Sequence, residues 1–234
     1  MPSIFIYGPS GQGKTTSIRN LNPKETAIIN CDRKDLPLKG WKKSYMTHYN
    51  NEGKPDLSKS NYVETDKPKS VLKTLQTWNN RPDIKYIVID TITHMMGAEF
   101  MRHALERGYD KFTNLGVDTN DVLSAIRSST KNIAVFAHSD EVRNSDGISI
   151  TKVRSFGKLV DEKIEIPSLF TTVLFPIVYR KDEEVKYLFQ TQSNGTNYAK
   201  SPVGFDGDKT ETALPFEMDN DVKKVFDLLL KFES

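Results

Sequence analysis

A glycine-rich segment near the amino terminus constrains this chain more than any other feature of its sequence. Residues 8–15 read GPSGQGKT and match the pattern GxxxxGK(S/T) at every defined position. The apolar residues 3–7 predict a buried strand before it, and residues 14–21 predict a short helix that ends at Asn22-Pro23. In that context the backbone N–H groups of the loop, together with the positive end of the helix, surround an anion. A glycine-rich turn with a chance lysine is the alternative, and both flanks argue against it.

The residues of this loop predict a site for the phosphates of ATP and for Mg²⁺. Its glycines allow the backbone to turn sharply toward an anion. We expect Lys14 to reach the β- and γ-phosphates and the Thr15 hydroxyl to ligate Mg²⁺. The predicted nucleotide-binding residues are Gly8, Pro9, Ser10, Gly11, Gln12, Gly13, Lys14, Thr15 and Thr16.

Asp90 is the second predicted ligand of Mg²⁺. It ends an apolar run over residues 86–90, and a carboxylate at the carboxyl end of such a strand reaches the water shell of the metal beside a phosphate loop. The alternative is that Asp90 caps the next helix, which Thr91 or Thr93 could do instead. The phosphate loop upstream favours the metal role.

Asp32 and His138 follow two other predicted strands and are candidates for the hydrolytic step. Asp32 comes just after strand 26–30, where its carboxylate could position or deprotonate water; a surface turn is the alternative. His138 follows strand 133–137, where it could sense the γ-phosphate; a hydrogen-bonded structural histidine is the alternative. No Glu follows Asp90, so the Asp-Glu pair of many motor ATPases is absent.

Cations cluster in the segment after His138. Lys152 and Arg154 stand two residues apart, which places both side chains on one face of a strand. They could stabilise phosphate charge on a neighbouring subunit, as an arginine finger does; a solvated face ranks second and DNA phosphates third. Residues 39–45 and 109–112 mix cations with aromatic side chains, which suits single-stranded nucleic acid, although an ordinary core edge is the commoner outcome.

Composition places the chain among globular proteins. Its 234 residues, 37% hydrophobic and 27% charged, can bury a full core, and we expect one domain over residues 1–234. The net charge of +2 permits a nucleic-acid partner without requiring one. The only cysteine, Cys31, excludes an internal disulfide and favours a reducing cytosol. No apolar run reaches the roughly 18 residues of a membrane-spanning helix and no signal peptide is recognisable, so we expect a cytoplasmic protein with no membrane partner.

Strand-like runs alternate with helical patterns along the chain. This order predicts an α/β fold with a mostly parallel central sheet, helices on both faces and C-terminal β-hairpins. The remaining local predictions are an exposed excursion over 50–69, helices over 93–107 and 118–130, a hairpin or loop over 139–156 around Asp146-Gly147, a second hairpin made by 171–179 and 185–192, and a terminal helix over 218–232.

Taken in order, the motifs resemble those of a known family. They are residues 8–15, Asp32 with residues 36–40, and then residues 87–91, 137–139, 156–158 and 199–202. This series is similar to the phage-encoded, RecA-like AAA nucleotide-binding proteins, a group that includes the short RecA-core single-strand annealing proteins of phage recombination. The resemblance covers nearly the whole chain, and its later motifs are more particular than the phosphate loop.

The resemblance implies a RecA-like P-loop ATPase core that binds ATP and Mg²⁺. It also implies self-association into a ring or filament with ATP between subunits, and binding to single-stranded DNA to promote annealing or strand pairing. A phage single-strand binding protein is a further expected partner, and the host cytoplasm is the expected location.

The resemblance also assigns roles to individual residues. Lys14, Thr15 and Asp90 match the nucleotide and Mg²⁺ positions of the family, and His138 matches its sensor. Asp32 stands at the strand end where such cores place a catalytic carboxylate, and the cations at positions 152 and 154 resemble the trans-acting cations of RecA-type filaments.

One departure from the family bears on the rate of hydrolysis. RecA proper carries Glu where this chain has Cys31-Asp32, so we expect slow turnover, with ATP acting as a switch for assembly. Two other functions stay open at this point. One is a nucleotide-switched protein-interaction module with little DNA affinity; the other is a P-loop kinase of a small metabolite, which would usually carry an Arg-rich helical lid.

Overall fold

A nine-stranded sheet forms the centre of the computed structural model, which describes residues 1–106, 110–143, 147–156, 165–206 and 209–234. Its strands are β1 (Ser3–Gly8), β2 (Thr26–Asn30), β3 (Tyr62–Glu64), β4 (Tyr86–Asp90), β5 (Asn132–Arg143), β6 (Ser149–Val153), β7 (Thr172–Lys181), β8 (Glu184–Gln190) and β11 (Glu217–Asp219). A separate two-stranded sheet contains β9 (Val203–Asp206) and β10 (Lys209–Thr212). The α-helices are α1 (Trp41–Ser44), α2 (Pro68–Asn79), α3 (Ile92–Arg102), α4 (Asp110–Arg127) and α5 (Val222–Glu233).

The strand order β11-β8-β7-β1-β5-β4-β2-β3 makes the middle of the sheet parallel. Strand β1 pairs in parallel with β5 and β7, and β4 pairs in parallel with β5 and β2. Strand β8 is antiparallel to both of its neighbours, β7 and β11, and β6 is antiparallel to β5. The predicted α/β class, with a mostly parallel sheet and C-terminal hairpins, is confirmed.

Helices cover both faces of the sheet because the side chains of the central strands alternate between two cores. In β1, Phe5 and Tyr7 belong to one buried cluster, and Ile4 and Ile6 belong to the other. The first cluster includes apolar side chains of α2, α3 and α4, and the second includes the apolar face of α5. This two-sided burial holds the carboxyl ends of β1, β2, β4 and β5 in fixed relative positions.

The segment after the phosphate loop differs from its prediction. Instead of a helix over 14–21, Thr15–Ile18 form one turn of 3-10 helix. Most of its side chains are β-branched, which lowers helix propensity, and Pro23 prevents extension. The predicted helix over 14–21 is therefore reduced to a single 3-10 turn near the start of that range.

Other predicted element boundaries also differ from those of the structure. The second half of the predicted excursion over 50–69 is wrong, because Tyr62–Glu64 form the edge strand β3, whose Tyr62 and Val63 are buried. Polar neighbours hid this short apolar strand in the sequence. The two predicted middle helices are present as α3 and α4, but Gly116, read as part of the break, lies inside α4.

The C-terminal predictions are close to the structure. The hairpin predicted over 139–156 forms from β5 and β6, while Asp146 in its turn lies outside the described residues. The second hairpin forms from β7 and β8. The terminal helix begins at Val222 rather than at 218, because residues 217–219 pair with β8 and the Asp221 side chain caps the helix. Among the described residues, no helix has the length and hydrophobicity needed to cross a bilayer.

Candidate functional site

A cavity of about 650 Å³ lies at the carboxyl ends of the parallel strands. Ligand sites of open α/β sheets form at this edge, where the loops after neighbouring strands converge. Its walls come from the phosphate loop, from the residues after β2, β4 and β5, and from the β8–β11 side of the sheet. The sequence-predicted residues Ser10, Gly11, Gly13, Lys14, Thr15, Thr16, Asp32, Asp90 and His138 all line it.

The phosphate loop begins where β1 ends. Gly8 is paired with His138 of β5, and a Cβ at Gly8 would lie 2.7 Å from the Pro176 ring, so no larger residue fits there. Gly11 and Gly13 have φ angles of 79° and 81°, which side chains disfavour. The glycines of the pattern are therefore required by this backbone.

Lys14 lies inside the loop with only 6% of its surface exposed. Its Nζ donates hydrogen bonds to the carbonyl oxygens of Gly8 and Pro9, each at 2.7 Å. Burial lowers the pKa of Lys14 to about 8, against the opposing effect of the Asp90 and Asp32 carboxylates. Gln12 is another of the loop residues predicted to bind nucleotide. Its buried Oε1 has no hydrogen-bond partner among the described residues.

Thr15 and Asp90 meet although 75 residues separate them in the chain. The Thr15 hydroxyl donates to Oδ2 of Asp90 at 2.6 Å. Burial raises the pKa of Asp90 to about 6; the Thr15 hydrogen bond lowers it, and the Asp32 charge raises it further. Oxygen donors of this kind suit Mg²⁺. The alternative of a helix-capping Asp90 is wrong, because Thr91 is the N-cap of α3.

Asp32 faces the same cavity from the end of β2, with its side chain 10% exposed. Thr91 donates to its Oδ1 at 2.8 Å, and Nε2 of His138 lies 3.8 Å from its Oδ2. That last distance is too long for a direct hydrogen bond, so the pair interacts electrostatically. Although burial opposes ionisation, the contacts with His138, Thr91 and Lys34 hold the pKa of Asp32 well below its usual range. The structure therefore places an ionised carboxylate in the cavity and not on a surface turn.

His138 is anchored from the backbone side. Its N–H donates to the Thr93 hydroxyl at 2.9 Å, and its carbonyl accepts from the N–H of Arg154 at 2.8 Å. His94, which sequence reasoning missed, approaches Asp32 from α3 with 3.9 Å between Nδ1 and Oδ1. Its position on the first turn of a helix gave no signal in the sequence.

Lys152 and Arg154 are exposed beside β5. Lys152 pairs in register with Asp140, and Arg154 binds the Asp140 carboxylate through Nε at 2.8 Å and a terminal nitrogen at 2.7 Å. Neither residue is among the described residues that line the cavity. Within one chain these cations do not line the cavity, although the Arg154 charge is near enough to contribute to the lowered pKa of Lys14.

The aromatic residues of 39–45 belong to the second core. The Trp41 ring lies 5.1 Å from the Tyr62 ring, and Tyr45 is 4% exposed. The lysines of this segment, Lys39, Lys42 and Lys43, are exposed, and Lys42 Nζ lies 5.3 Å from the Trp41 ring. The core-edge interpretation therefore holds here; the side chains of residues 109–112 lie outside the described part of the chain.

Residues that sequence reasoning missed form the opposite wall of the cavity. They are Arg19, Tyr187 and Asn220. The Arg19 guanidinium donates to the Asn220 carbonyl at 2.5 Å, and the N–H of Asn220 donates to the Tyr187 carbonyl at 3.1 Å. No local motif marks Tyr187 and Asn220, because only the pairing of β7, β8 and β11 brings them to the loop.

Comparison with known proteins gives a family match. The family described as AAA domain matches residues 1–203. No curated protein matches the chain. Among solved structures, the KaiC-like protein of Pyrococcus horikoshii OT3 is 11% identical, with a TM-score of 0.46, and the alignment covers 92% of this chain and 90% of that one. The flagellar accessory protein FlaH of Methanocaldococcus jannaschii is 12% identical, with a TM-score of 0.42 and coverages of 81% and 76%.

The family assignment rests on the sequence match and not on these distant structures. The match spans residues 1–203 of 234 and includes the phosphate loop, Asp32, Asp90 and His138. This chain belongs to the AAA domain family.

Proposed function

We propose that this chain binds ATP with Mg²⁺ at residues 8–16 and hydrolyses it slowly. The observation that carries the proposal is the hydrogen bond between the Thr15 hydroxyl and the Asp90 carboxylate, 2.6 Å long, beside a phosphate loop that holds Lys14. Membership in a P-loop ATPase family supports a nucleotide site at this loop. The cavity, at about 650 Å³, falls within the size range of small-molecule sites.

The donor set fits Mg²⁺. Thr15 and Asp90 supply a hydroxyl and a carboxylate oxygen, both hard ligands, and a buried Asp90 gains from a nearby positive charge. When bound, Mg²⁺ neutralises charge on the phosphate oxygens. Lys14 would exchange the carbonyl oxygens of Gly8 and Pro9 for phosphate oxygens, a stronger, charge-assisted contact.

Asp32 explains why turnover would be slow. A general base works best when its pKa is near the working pH. The pKa of Asp32 lies far below that range, so its carboxylate accepts a hydrogen bond from water readily but takes a proton poorly. We therefore propose that Asp32 positions the attacking water and that His138, 3.8 Å away, contacts the γ-phosphate side of the cavity.

Phosphate release tests this proposal. Wild type should release phosphate from ATP only with Mg²⁺, and Lys14→Ala should lose at least about a hundredfold of that activity. Lys73→Ala, an exposed lysine of α2, is the matched control and should retain it. Circular dichroism should show that Lys14→Ala is folded, because this variant also loses the hydrogen bonds of Lys14 to Gly8 and Pro9. Equal activity in wild type and Lys14→Ala would contradict the proposal.

We further propose that the ATP-bound protein assembles on single-stranded DNA and promotes annealing or strand pairing in recombination. The support is the family resemblance and a set of exposed cations on the hairpins, Lys152, Arg180, Lys181 and Lys186. After His138 the described chain continues as an antiparallel strand pair and not as a helical lid, which disfavours a small-metabolite kinase.

Binding to a fluorescent single-stranded oligonucleotide tests the DNA proposal. Wild type should bind with ATP and Mg²⁺, Lys14→Ala should not, and the logarithm of affinity should fall with the logarithm of salt at about −0.7 per phosphate contact. No binding at low salt and micromolar protein would overturn it. A nucleotide-switched protein-interaction module would then be the better account, and a pull-down in the ATP-bound state would follow.

A further inference from the structure

Asn220 is a buried amide whose hydrogen-bonding capacity is unused. It follows β11, is 1% exposed and lines the cavity. Neither its Oδ1 nor its Nδ2 has a hydrogen-bond partner in the part of the chain that the structure describes. A buried amide without partners costs free energy, and most such groups in native proteins are paired. The side chain therefore needs an explanation that the fold does not supply.

The position of Asn220 points to a ligand. A Cβ built on Gly13 would lie 3.4 Å from Asn220 Oδ1 and 2.9 Å from Cδ1 of the Tyr187 ring. Both side chains therefore lie directly against the phosphate loop. Tyr187 is 44% exposed, so part of its side chain is free of core packing.

Sheet order separates this pair from the hydrolytic residues. Strands β4 and β5, which carry Asp90 and His138, lie on one side of β1, and strands β8 and β11 lie on the other side. A nucleotide whose terminal phosphates face Asp90 extends in the opposite direction with its sugar and base. Tyr187 and Asn220 line the cavity on that side of β1, and Arg19 binds the Asn220 carbonyl beside them.

We propose that Asn220 and Tyr187 hold the nucleobase, and that this base is adenine. This inference rests on the proposed ATP site. An amide presents one donor and one acceptor side by side, which matches N6–H and N7 of adenine; the corresponding edge of guanine offers two acceptors. The Tyr187 ring stacks on the base. Arg19, the cation that could read guanine, already donates to the Asn220 carbonyl.

Titration calorimetry tests the base site. The three probes are ATP, GTP and inorganic tripolyphosphate, each with Mg²⁺. Wild type should bind ATP at least about tenfold more tightly than GTP or tripolyphosphate. Asn220→Leu, close in size and apolar, should lose that advantage while its tripolyphosphate affinity is unchanged. Asn51→Leu, at an exposed asparagine, is the matched control and should behave as wild type.

Two more variants guard against a folding defect. Asn220→Asp keeps an acceptor for N6–H of adenine but loses the donor to N7, and its oxygens cannot pair with the two acceptors of guanine. ATP affinity should therefore fall while GTP affinity does not rise, and a circular dichroism spectrum like that of wild type would show that the fold is kept. Tyr187→Phe should keep ATP affinity and Tyr187→Ala should lower it several-fold, because only the first retains the ring.

Several results would overturn the base site. Unchanged ATP affinity in Asn220→Leu would make Asn220 an unpaired core residue, and equal loss of ATP and tripolyphosphate would make it a support of the phosphate loop. If wild type bound ATP no more tightly than tripolyphosphate, the base site would be overturned and the proposed phosphate site would stand. Wild type that binds neither ATP nor tripolyphosphate would overturn the ATP site itself, and the base site with it.

Discussion

The two walls of the cavity differ in how their polar groups are satisfied. On the wall formed by the ends of β2, β4 and β5, Asp90, Asp32 and Thr91 already form hydrogen bonds within the protein. On the β8–β11 wall, the side chain of Asn220 is buried and has no partner among the described residues. The difference suggests that one wall is organised before a ligand arrives and that the other depends on the ligand to complete its contacts.

The largest expected loss of activity follows from a substitution on the wall that is organised before a ligand arrives, the one that carries Asp90 and Asp32. Asp90→Asn keeps the shape of the side chain and its contact with Thr15 but removes the charge that would face Mg²⁺. Metal coordination contributes several kcal/mol to such reactions, so ATP hydrolysis should fall by about a thousandfold. Phosphate release measures this, and Asp83→Asn, at an exposed aspartate, is the control. Activity within about threefold of wild type would contradict the metal role of Asp90.

A smaller and more selective effect is expected at Asp32. Asp32→Asn should lower turnover by about a hundredfold while ATP affinity stays within about threefold, because the carboxylate positions water and does not hold phosphate. Single-turnover hydrolysis and calorimetry on the same protein separate the two quantities. If affinity and turnover fell together, Asp32 would belong to the binding site instead.

The same comparison shows what could be read from the sequence. The phosphate loop, Asp32, Asp90 and His138 each follow an apolar strand, and parallel strand ends converge at one edge, so a linear pattern was enough to place them. Tyr187 and Asn220 could not be found in this way. Their position depends on the register of β8 with β7 and β11, which is set by long-range pairing and by no local motif.

Secondary structure was predicted well in segments with strong hydrophobic periodicity and poorly in segments too short to show any periodicity. The central strands have continuous apolar runs and were recognised. The short strand Tyr62–Glu64 and the single 3-10 turn Thr15–Ile18 were misread, because each has too few residues to show a period. The exposed pairing of Arg154 with Asp140 also depends on strand register and was not foreseen.

The pH dependence of stability sharpens the contrast between the two carboxylates of the organised wall. The pKa of Asp90 is raised from 3.8 to about 6 by burial, so the folded state binds the proton more tightly than the unfolded state. Stability of the ligand-free protein should therefore fall as pH rises from about 4 to 6, by up to about 3 kcal/mol. Urea unfolding across this range measures it, and Asp90→Asn should remove the dependence.

The contribution of Asp32 to the pH dependence of stability has the opposite sign. Its pKa is lowered, so its contribution to stability is present above its unfolded value and is lost as pH falls through the acid range. If the stability of Asp90→Asn changed between about pH 4 and pH 6 as that of wild type does, the Asp90 assignment would be wrong.

The smallest effect on stability is expected at Arg154. Its ion pair with Asp140 is exposed, so Arg154→Ala should change the free energy of unfolding by less than about 1 kcal/mol. If Arg154 acts on a neighbouring subunit, Arg154→Ala should still lose hydrolysis. Mixing it with Lys14→Ala should then restore part of the activity, since each variant supplies what the other lacks. Failure of the mixture to recover would argue against action between subunits.

The central claim is that Lys14, Thr15 and Asp90 form one site for ATP and Mg²⁺. Titration calorimetry of ATP into wild type and Lys14→Ala, each with Mg²⁺ and with EDTA, tests it most directly. The account predicts that ATP binds wild type with Mg²⁺, that EDTA weakens binding at least about tenfold, and that Lys14→Ala weakens it at least about a hundredfold. Equal ATP affinity in all four titrations, or no binding in any of them, would contradict it.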